Sequence, residues 1–461
     1  MAVIGLFLTA LFWSMLCTAP AIPWNVARLA PSFALARGLP IYVLRDSGAH
    51  LGWVYGPVFP LWFLPAGLTD NPTLGIMIAV ALNAVAMVVP MWIVFRALSG
   101  MPRNLAVLLT LFGTVLLLAN PLTSIAFYII HVDGLCVGWA LVACAALHAR
   151  VFRDWRPGFP LAAAALALSV ATKQVSVVLV PATLVWLWRE GHRNLIGSWI
   201  FWLVSICGSL AMLCFLFFGA EELLFNAWLL FSRMPWRGGW GQLGTNLADL
   251  ASATWLWTAT GVAGFFFLKS SRLRPSGPAA SFARLLGWIA LIQAPMGLTA
   301  SLLVDAALNS IHAPTYLMVA VLVLGGSVFM QPGGTDGSRR IRFMMGLLAI
   351  AGIVTTVHIL RSRPLAWKPD RGQEQLLAIA RSTPGKVYLP WNPLVTIIAD
   401  RKVYPFDEGL RYLWMAGLEP PRAAIRAAVP KDAFILYQEP SQSHFALNYF
   451  GKDQRTPAVD R

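Results

Sequence analysis

Charged residues are scarce in this sequence. Only 12% of its 461 residues are charged and 58% are hydrophobic, whereas soluble domains carry about 25% charged residues. This scarcity excludes an ordinary soluble domain. Because many apolar runs are close to 20 residues long, the sequence predicts an α-helical polytopic membrane protein. The formal charge of +15 would suggest nucleic acid in a soluble protein, but here it reflects arginine-rich loops, so no nucleic-acid partner is expected.

Cysteine is also rare, and its positions argue against disulfides and metal sites. All five cysteines fall inside apolar runs, and none forms a CxxC pair or a cluster with histidine. They are interpreted as buried thiols: Cys17, Cys136, Cys144, Cys207 and Cys214. The N-terminus has no lysine or arginine before its first apolar run, unlike a cleaved signal peptide. We therefore expect it to remain as the first membrane span.

Eleven apolar segments are predicted to span the membrane. They are residues 2–22, 74–98, 103–120, 125–150, 158–172, 175–189, 194–218, 252–269, 284–303, 311–330 and 341–360. Short loops rich in arginine and lysine alternate with loops that are poorer in them. The positive-inside rule places the basic loops and the N-terminus in the cytoplasm. The sequence thus predicts a transmembrane domain over 1–360 and a small extracytoplasmic domain over 361–461.

Residues 158–189 are the test of that topology, because they could form one long helix or two short ones. A single helix would place the basic flanks at Arg156 and Arg189 on opposite sides of the membrane. A hairpin keeps both flanks in the cytoplasm, although each arm of 15 residues rises only ~22 Å. The hairpin is therefore predicted, with Lys173 and Gln174 at its recessed external tip.

Two external regions are expected to be structured. The long first loop, 23–73, contains an apolar but proline-broken stretch near 53–68, which is interpreted as a helix lying in the membrane interface. After residue 361 the membrane pattern ends. EQLLAIARS and PLVTIIAD are predicted as helices, and KVYLP, KVYPF and AFILYQE as strands. This alternation predicts a small α/β domain.

Four stretches on the predicted external side resemble the GT-C class of membrane glycosyltransferases. They are ARGLPIY (36–42), YGPVFPLWFLP (55–65), HVDGL (131–135) and ATKQVSVVLVP (171–181). Their order, the many spans and the external C-terminal domain complete the resemblance. It implies a transferase that takes a sugar from a polyprenyl-phosphate-linked donor on the external face of the membrane.

The sequence departs from the class at the residue that acts as catalytic base. GT-C enzymes carry an acid early in the first external loop, but the matching stretch here, APAIPWNVARLAP, has Asn25. An amide cannot accept a proton as a carboxylate does. The acids of this loop are Asp46 and Asp70. Three alternatives stay open: Asp46 is the base, Asp133 is the base, or this chain uses a different chemistry.

The implied reaction also needs groups that stabilise the departing phosphate. The candidate catalytic residues are Asp133, Asp46 and His131, and the candidate donor-phosphate ligands are Lys173, Gln174, Arg45, Tyr55 and Arg237. Structural alternatives stay open for each group. Asp133 could cap a helix, Lys173 could extend to the interface, and Arg28, Arg233 and Arg237 could be interfacial anchors. Asp305 and His312 are weaker candidates for the same cavity.

These observations predict a plasma-membrane glycosyltransferase. Two alternative functions are considered beside it. Its expected partners are a polyprenyl-phosphate-linked sugar, a lipid or glycan acceptor and membrane lipids. A divalent cation, Mg²⁺ or Mn²⁺, is an open question. Asn25 keeps a non-catalytic relative that binds lipid-linked sugar in consideration. A transporter is disfavoured, because the ionisable groups lie at external helix ends rather than at the membrane midplane.

Overall fold

The fold is built almost entirely from helices, as the apolar runs predict. The computed structural model describes residues 2–98, 103–236, 241–249, 277–303, 308–329, 365–431, 433–437 and 455–457. Its N-terminal helices are α1 (Ala2–Thr18), α2 (Pro23–Ala36), α3 (Val58–Trp62), α4 (Leu64–Gly67), α5 (Pro72–Leu98), α6 (Arg103–Ala119), α7 (Pro121–Tyr128) and α8 (Val132–Arg153). They are followed by α9 (Gly158–Thr172), α10 (Leu179–Arg189), α11 (Ile196–Phe218), α12 (Ala220–Leu224), α13 (241–249), α14 (Pro278–Ala300) and α15 (His312–Phe329).

Several of these helices are long and apolar enough to cross a membrane. Four of them meet that description over Pro72–Arg96, Val132–Arg153, Arg193–Phe218 and Pro278–Ala300. A fifth span results if α6 and α7, which meet at a bend of 103°, are counted together. Four shorter apolar helices accompany them within the described part of the chain. The predicted spans at 252–269 and 341–360 lie outside the described residues, so the total of eleven stays a prediction.

The hairpin over 158–189 is confirmed by where its two ends lie. The guanidinium of Arg150, near the C-terminal end of α8, stacks 5.3 Å from the ring centre of Phe159 at the start of α9. At the other end of the hairpin, the ring centre of Trp186 lies 6.0 Å from that of His148, which is also near the C-terminal end of α8. The chain reverses at Lys173, where the backbone is extended (φ −145°, ψ 120°). A short 3₁₀ turn, Gln174–Val178, then leads into α10.

The first loop is more helical than the sequence predicts. Its first part forms α2, which begins at Pro23, a favoured first helical position. This helix buries an apolar face that includes Phe33. The helix predicted near 53–68 is present as two short helices, α3 and α4, which are separated at Phe63; its position in the membrane interface stays a prediction. Arg37, in the ARGLPIY stretch, donates hydrogen bonds to the carbonyl oxygens of Phe33 and Gly67 and so closes the loop.

The C-terminal segment combines helices with a small sheet, as its alternating pattern predicts. The helices are α16 (Gly372–Ser382), α17 (Pro393–Asp400), α18 (Asp407–Met415) and α19 (Arg422–Ala428). Strands β1 (Val387–Tyr388), β2 (Phe434–Tyr437) and β3 (Arg455–Pro457) pair in parallel in the order β1-β2-β3. The predicted strand over KVYPF is wrong, because residues 402–406 form an irregular segment whose apolar side chains are buried.

The C-terminal segment packs directly on the first loop. Apolar side chains from both regions share one buried cluster, in which Phe33 and Phe59 meet Leu394 and Ile397. The backbone N–H of Phe406 donates to the carbonyl oxygen of His50. This contact attaches the start of α18 to the first loop, while α17, which carries Leu394 and Ile397, packs on α2. The first loop and the C-terminal segment thus share one apolar core. The domain boundary at residue 361 stays a prediction.

Candidate active site

An ion pair at the start of α8 forms the centre of the candidate site. Asp133 lies in the first turn of α8 and is 3% exposed. One of its carboxylate oxygens lies 2.5 Å from the Nζ atom of Lys173, and the other lies 2.5 Å from the Nδ1 atom of His131. A buried lysine needs an anionic partner. The sequence predicted these residues separately, and the fold brings all three together.

The reversal of the chain at the hairpin tip positions Lys173. The amide of the next residue, Gln174, donates one hydrogen bond to the carbonyl oxygen of Val54 and another to that of Ala227. These bonds tie the tip to the first loop and to the π-helical turn at Phe225–Leu230. The expectation that Gln174 binds donor phosphate is not supported, because its amide donors are used in holding the tip.

Arg28, on α2, supplies a second buried cation. Its guanidinium lies 5.3 Å from the ring centre of Trp24 and 5.4 Å from that of Tyr55. A carboxylate oxygen of Glu408, on α18, lies 3.6 Å from a terminal nitrogen of the Arg28 guanidinium. The same oxygen accepts a 2.6 Å hydrogen bond from the Tyr412 hydroxyl. Burial alone would lower the pKa of Arg28, but Glu408, Tyr55 and Tyr412 together raise it. Arg28 therefore stays protonated.

These groups border one cavity of about 640 Å³. Its polar lining comprises Arg28, Tyr55, His131, Asp133, Lys173, Gln242, Asn246, Asp249, Gln293, Ser310, His312 and Tyr412. Its apolar lining includes Trp24, Leu122, Ile125, Ile129, Phe231, Met234, Met296 and Leu303. The cavity can therefore hold a molecule that has both an anionic group and an apolar chain.

Asn25 has a structural task that an acid could not perform. Its amide N–H groups donate to the carbonyl oxygens of Ala19 and Tyr128, and its amide oxygen accepts from the backbone N–H of Ile130. The side chain is fully buried and does not line the cavity. A carboxylate here would face two carbonyl oxygens without a proton to donate. Asn25 thus fixes the segment that leads into His131.

The remaining sequence candidates divide between the cavity and the surface. Tyr55 lines the cavity, and its ring lies 6.3 Å from that of His131. Arg45 and Asp46 do not: their side chains are 50% and 75% exposed in a surface turn, where Arg45 donates to the carbonyl oxygen of Glu419. The expectations of a base at Asp46 and a phosphate ligand at Arg45 are not supported by this placement.

Three other candidates fall on different parts of the chain. His312 is 1% exposed and lines the cavity, as the weaker sequence prediction proposed. Arg237 and Asp305 lie outside the described residues, so their predicted roles stay predictions.

Sequence reasoning did not select several residues of the cavity wall. The sequence indicates no more than an interfacial anchor at Arg28, since one arginine in an apolar helix gives no sign of its partners. Tyr412 of the wall lies in the C-terminal segment, where no motif marks it, and so does Glu408, the ion-pair partner of Arg28. Gln293 is an amide within the apolar helix α14. A polar side chain inside a predicted span is the one signal that could have found it.

The described residues offer no obvious metal site. Among them, no group of three or more His, Cys, Asp and Glu side chains is arranged to hold a metal ion. Asp133 is already placed between Lys173 and His131, two groups that compete with a cation for its oxygens. The described residues therefore do not fit an Mg²⁺ or Mn²⁺ centre.

The fold is similar to solved structures of ArnT from Cupriavidus metallidurans. The apo structure of ArnT covers 91% of this chain and 74% of its own, at 16% identity and a TM-score of 0.50. ArnT bound to undecaprenyl phosphate covers 99% of this chain and 89% of its own, at 13% identity and a TM-score of 0.55. No protein-family model matches the sequence, and no curated protein sequence matches it. The likeness is one of fold: the chain shares the polytopic membrane-protein fold of these structures.

Proposed function

We propose that this GT-C-fold chain is an integral membrane glycosyltransferase that takes a sugar from a polyprenyl-phosphate-linked donor. The observation that carries the proposal is the single cavity in which Arg28 and Lys173 meet the His131–Asp133 pair beside an apolar lining. The ArnT structure with undecaprenyl phosphate has the same fold, which supports a donor of that chemical class. The acceptor is proposed to be an envelope lipid or glycan.

Arg28 and Lys173 are proposed to bind the donor phosphate. As the sugar leaves, negative charge grows on the phosphate oxygens, and cations already in place stabilise it without reorganisation. Arg28 stays charged, as its neighbours require, and a guanidinium can donate two parallel hydrogen bonds to a phosphate. The nearby isoleucines and methionines offer an apolar path for the polyprenyl chain.

The His131–Asp133 pair is proposed as the base. Asp133 lies against Nδ1 of His131 and so fixes the orientation of the ring, which leaves Nε2 as the ring atom that exchanges a proton with the acceptor. The acceptor oxygen forms a bond to the anomeric carbon as the bond from that carbon to the phosphate oxygen breaks. The acceptor proton passes to the base, and the electron pair leaves with polyprenyl phosphate. A single in-line displacement of this kind inverts the anomeric carbon.

The site is proposed to face the outside of the plasma membrane. Arg150 and Arg189 lie at the opposite end of the bundle from Asp133, and the positive-inside rule assigns that end to the cytoplasm. In intact cells, Ser382→Cys should react with a membrane-impermeant maleimide, whereas Asn194→Cys should react only after lysis. Both positions are exposed. Wild type, which keeps its five native cysteines, measures the background. The reverse labelling pattern would contradict the orientation.

Envelope analysis tests the function as a whole. Mass spectrometry of lipids and glycans, with and without the gene, should show loss of one sugar mass and accumulation of its polyprenyl-phosphate donor. Complementation with wild type should restore the sugar, and Asp133→Asn should not. An unchanged sugar inventory would favour the alternative of a non-catalytic protein that binds lipid-linked sugar, for which Asn25 is the sequence argument.

A further inference from the structure

Gln293 is a buried amide that lines the cavity and has no hydrogen-bonding partner among the described residues. It lies on α14, is 5% exposed and lines the cavity. None of the hydrogen bonds among the described residues involves its amide. A buried polar group without a partner is destabilising, and most buried amides in proteins are satisfied. An amide kept at such a position inside an apolar helix indicates a hydrogen-bonding ligand in the cavity.

A second amide, on a helix fixed to α14, borders the same cavity. Gln242 of α13 donates a 2.9 Å hydrogen bond to the amide oxygen of Asn246, one helical turn later. The Asn246 amide donates in turn to the carbonyl and hydroxyl oxygens of Ser301, at the end of α14. These bonds hold α13 against the helix that carries Gln293. Gln242 and Gln293 therefore belong to one wall of the cavity, which carries no cation among the described lining residues and one carboxylate, Asp249 at the end of α13.

The chemistry of this wall differs from that of the wall formed by α2, α8 and the hairpin tip. Arg28 and Lys173 carry full positive charges, which suit phosphate. A neutral amide both donates and accepts hydrogen bonds, as a sugar hydroxyl does. It attracts an anion only weakly and cannot compete with the two cations for the phosphate.

We propose that Gln293, together with Gln242, binds the hydroxyl groups of the donor's glycosyl unit. The assignment rests on the proposed function, because the phosphate at Arg28 and Lys173 places the attached sugar in the same cavity. Gln293 is thereby a residue that contributes to recognition of the sugar and not of the lipid phosphate. The two amides supply hydrogen bonds that a bare polyprenyl phosphate does not use.

Binding to two kinds of lipid tests the assignment. The protein, purified in nanodiscs, is titrated with undecaprenyl phosphate and with its glucose, galactose, mannose and arabinose conjugates. Wild type should bind at least one conjugate more tightly than the bare lipid phosphate. Gln293→Met should lower the affinity for that conjugate about 3- to 10-fold, which is the contribution of a single neutral hydrogen bond. The affinity for undecaprenyl phosphate should stay unchanged. Gln375→Met, at an exposed position of α16, is the matched control.

A thermal melt separates recognition from a structural role. If Gln293 has no partner in the empty protein, Gln293→Met should keep or raise the melting temperature. A lower melting temperature, or equal weakening of both kinds of lipid, would overturn the proposal. So would wild type that binds every conjugate no better than undecaprenyl phosphate, or a defect confined to the Michaelis constant for the acceptor. Wild type that binds neither kind of lipid would instead overturn the proposed function itself.

Discussion

The two ends of helix α8 each carry a pair of opposite charges, in opposite surroundings. At the N-terminal end, Asp133 and Lys173 have side chains that are 4% and 10% exposed, and both border the cavity. At the C-terminal end, Arg150 pairs with Asp154, whose side chain is 84% exposed. The same helix thus holds a buried pair and a solvated one.

The difference teaches which pairs have functional meaning. A solvated pair four residues apart on a helix contributes little and has no need of a function. Removing two charges from water is costly, and the attraction between them need not repay that cost. A buried pair beside a cavity therefore calls for a reason other than stability. Binding a charged substrate is such a reason.

Lys173→Met should have the largest effect. It leaves the Asp133 carboxylate buried without its ammonium partner, which should lower the free energy of unfolding by about 3–5 kcal/mol. Sugar transfer should fall by about 100-fold or more, because a cation at the phosphate is lost. The double variant Lys173→Met/Asp133→Asn should recover part of the thermal stability and none of the activity. Unfolding in detergent measures the stability, and a transfer assay measures the activity. Wild-type stability and wild-type activity in Lys173→Met would contradict the assignment.

Asn25→Asp should have the second largest effect. Its expected direction is the opposite of what the GT-C resemblance implies, which is a need for an acid at this position. If this position needed an acid, the variant would gain activity. Because Asn25 donates to two carbonyl oxygens, a carboxylate should displace the segment that carries His131. Transfer should fall roughly 10- to 100-fold, as misplaced catalytic groups cause. Increased turnover, with the protein still folded by its thermal melt, would show that the structural explanation is wrong.

Arg28→Lys should weaken donor binding while keeping the charge. Lysine lacks the planar fork and the stacking of the guanidinium on Trp24 and Tyr55. We expect the Michaelis constant for the donor to rise about tenfold, equivalent to one charged hydrogen bond. Arg45→Lys, at a half-exposed surface turn, is the matched control and should leave it unchanged. An equal response of the two variants would remove Arg28 from the phosphate site.

The smallest effects are expected at the solvated carboxylates. Asp154→Asn and Asp46→Asn should each change the free energy of unfolding by less than about 0.5 kcal/mol, as surface substitutions usually do. Neither should alter transfer by more than the error of the assay. A large loss of transfer in Asp46→Asn, with normal folding, would return the base function to the first loop and contradict the separation of buried from solvated pairs.

Part of the site could be predicted because a local rule determined it. Loop charge and span length required a hairpin with Lys173 at its tip, and the same topology placed His131 and Asp133 at the same end of the bundle. The meeting of Lys173 with Asp133 follows from those two results. The overall helical fold likewise follows from the apolar runs.

The rest depends on contacts between distant parts of the chain. Arg28 on α2 meets Glu408 on α18 although the two residues are 380 positions apart in the sequence. The role of Asn25 depends on carbonyl oxygens at Ala19 and Tyr128, whose positions no local pattern reveals. Asp46 shows the converse case: its place in the first loop suggests a base, but the fold exposes its side chain to solvent.

The most direct test of the central claim is whether the purified protein breaks the bond between sugar and phosphate. Wild type in liposomes would be given labelled undecaprenyl-phosphate sugars and envelope lipid acceptors, and released undecaprenyl phosphate would be measured. The account predicts release and a glycosylated product with wild type and Asp46→Asn, and neither with Asp133→Asn. Donor that binds or crosses the bilayer intact, or full turnover by folded Asp133→Asn, would contradict the claim that the buried pair at α8 is the catalytic centre.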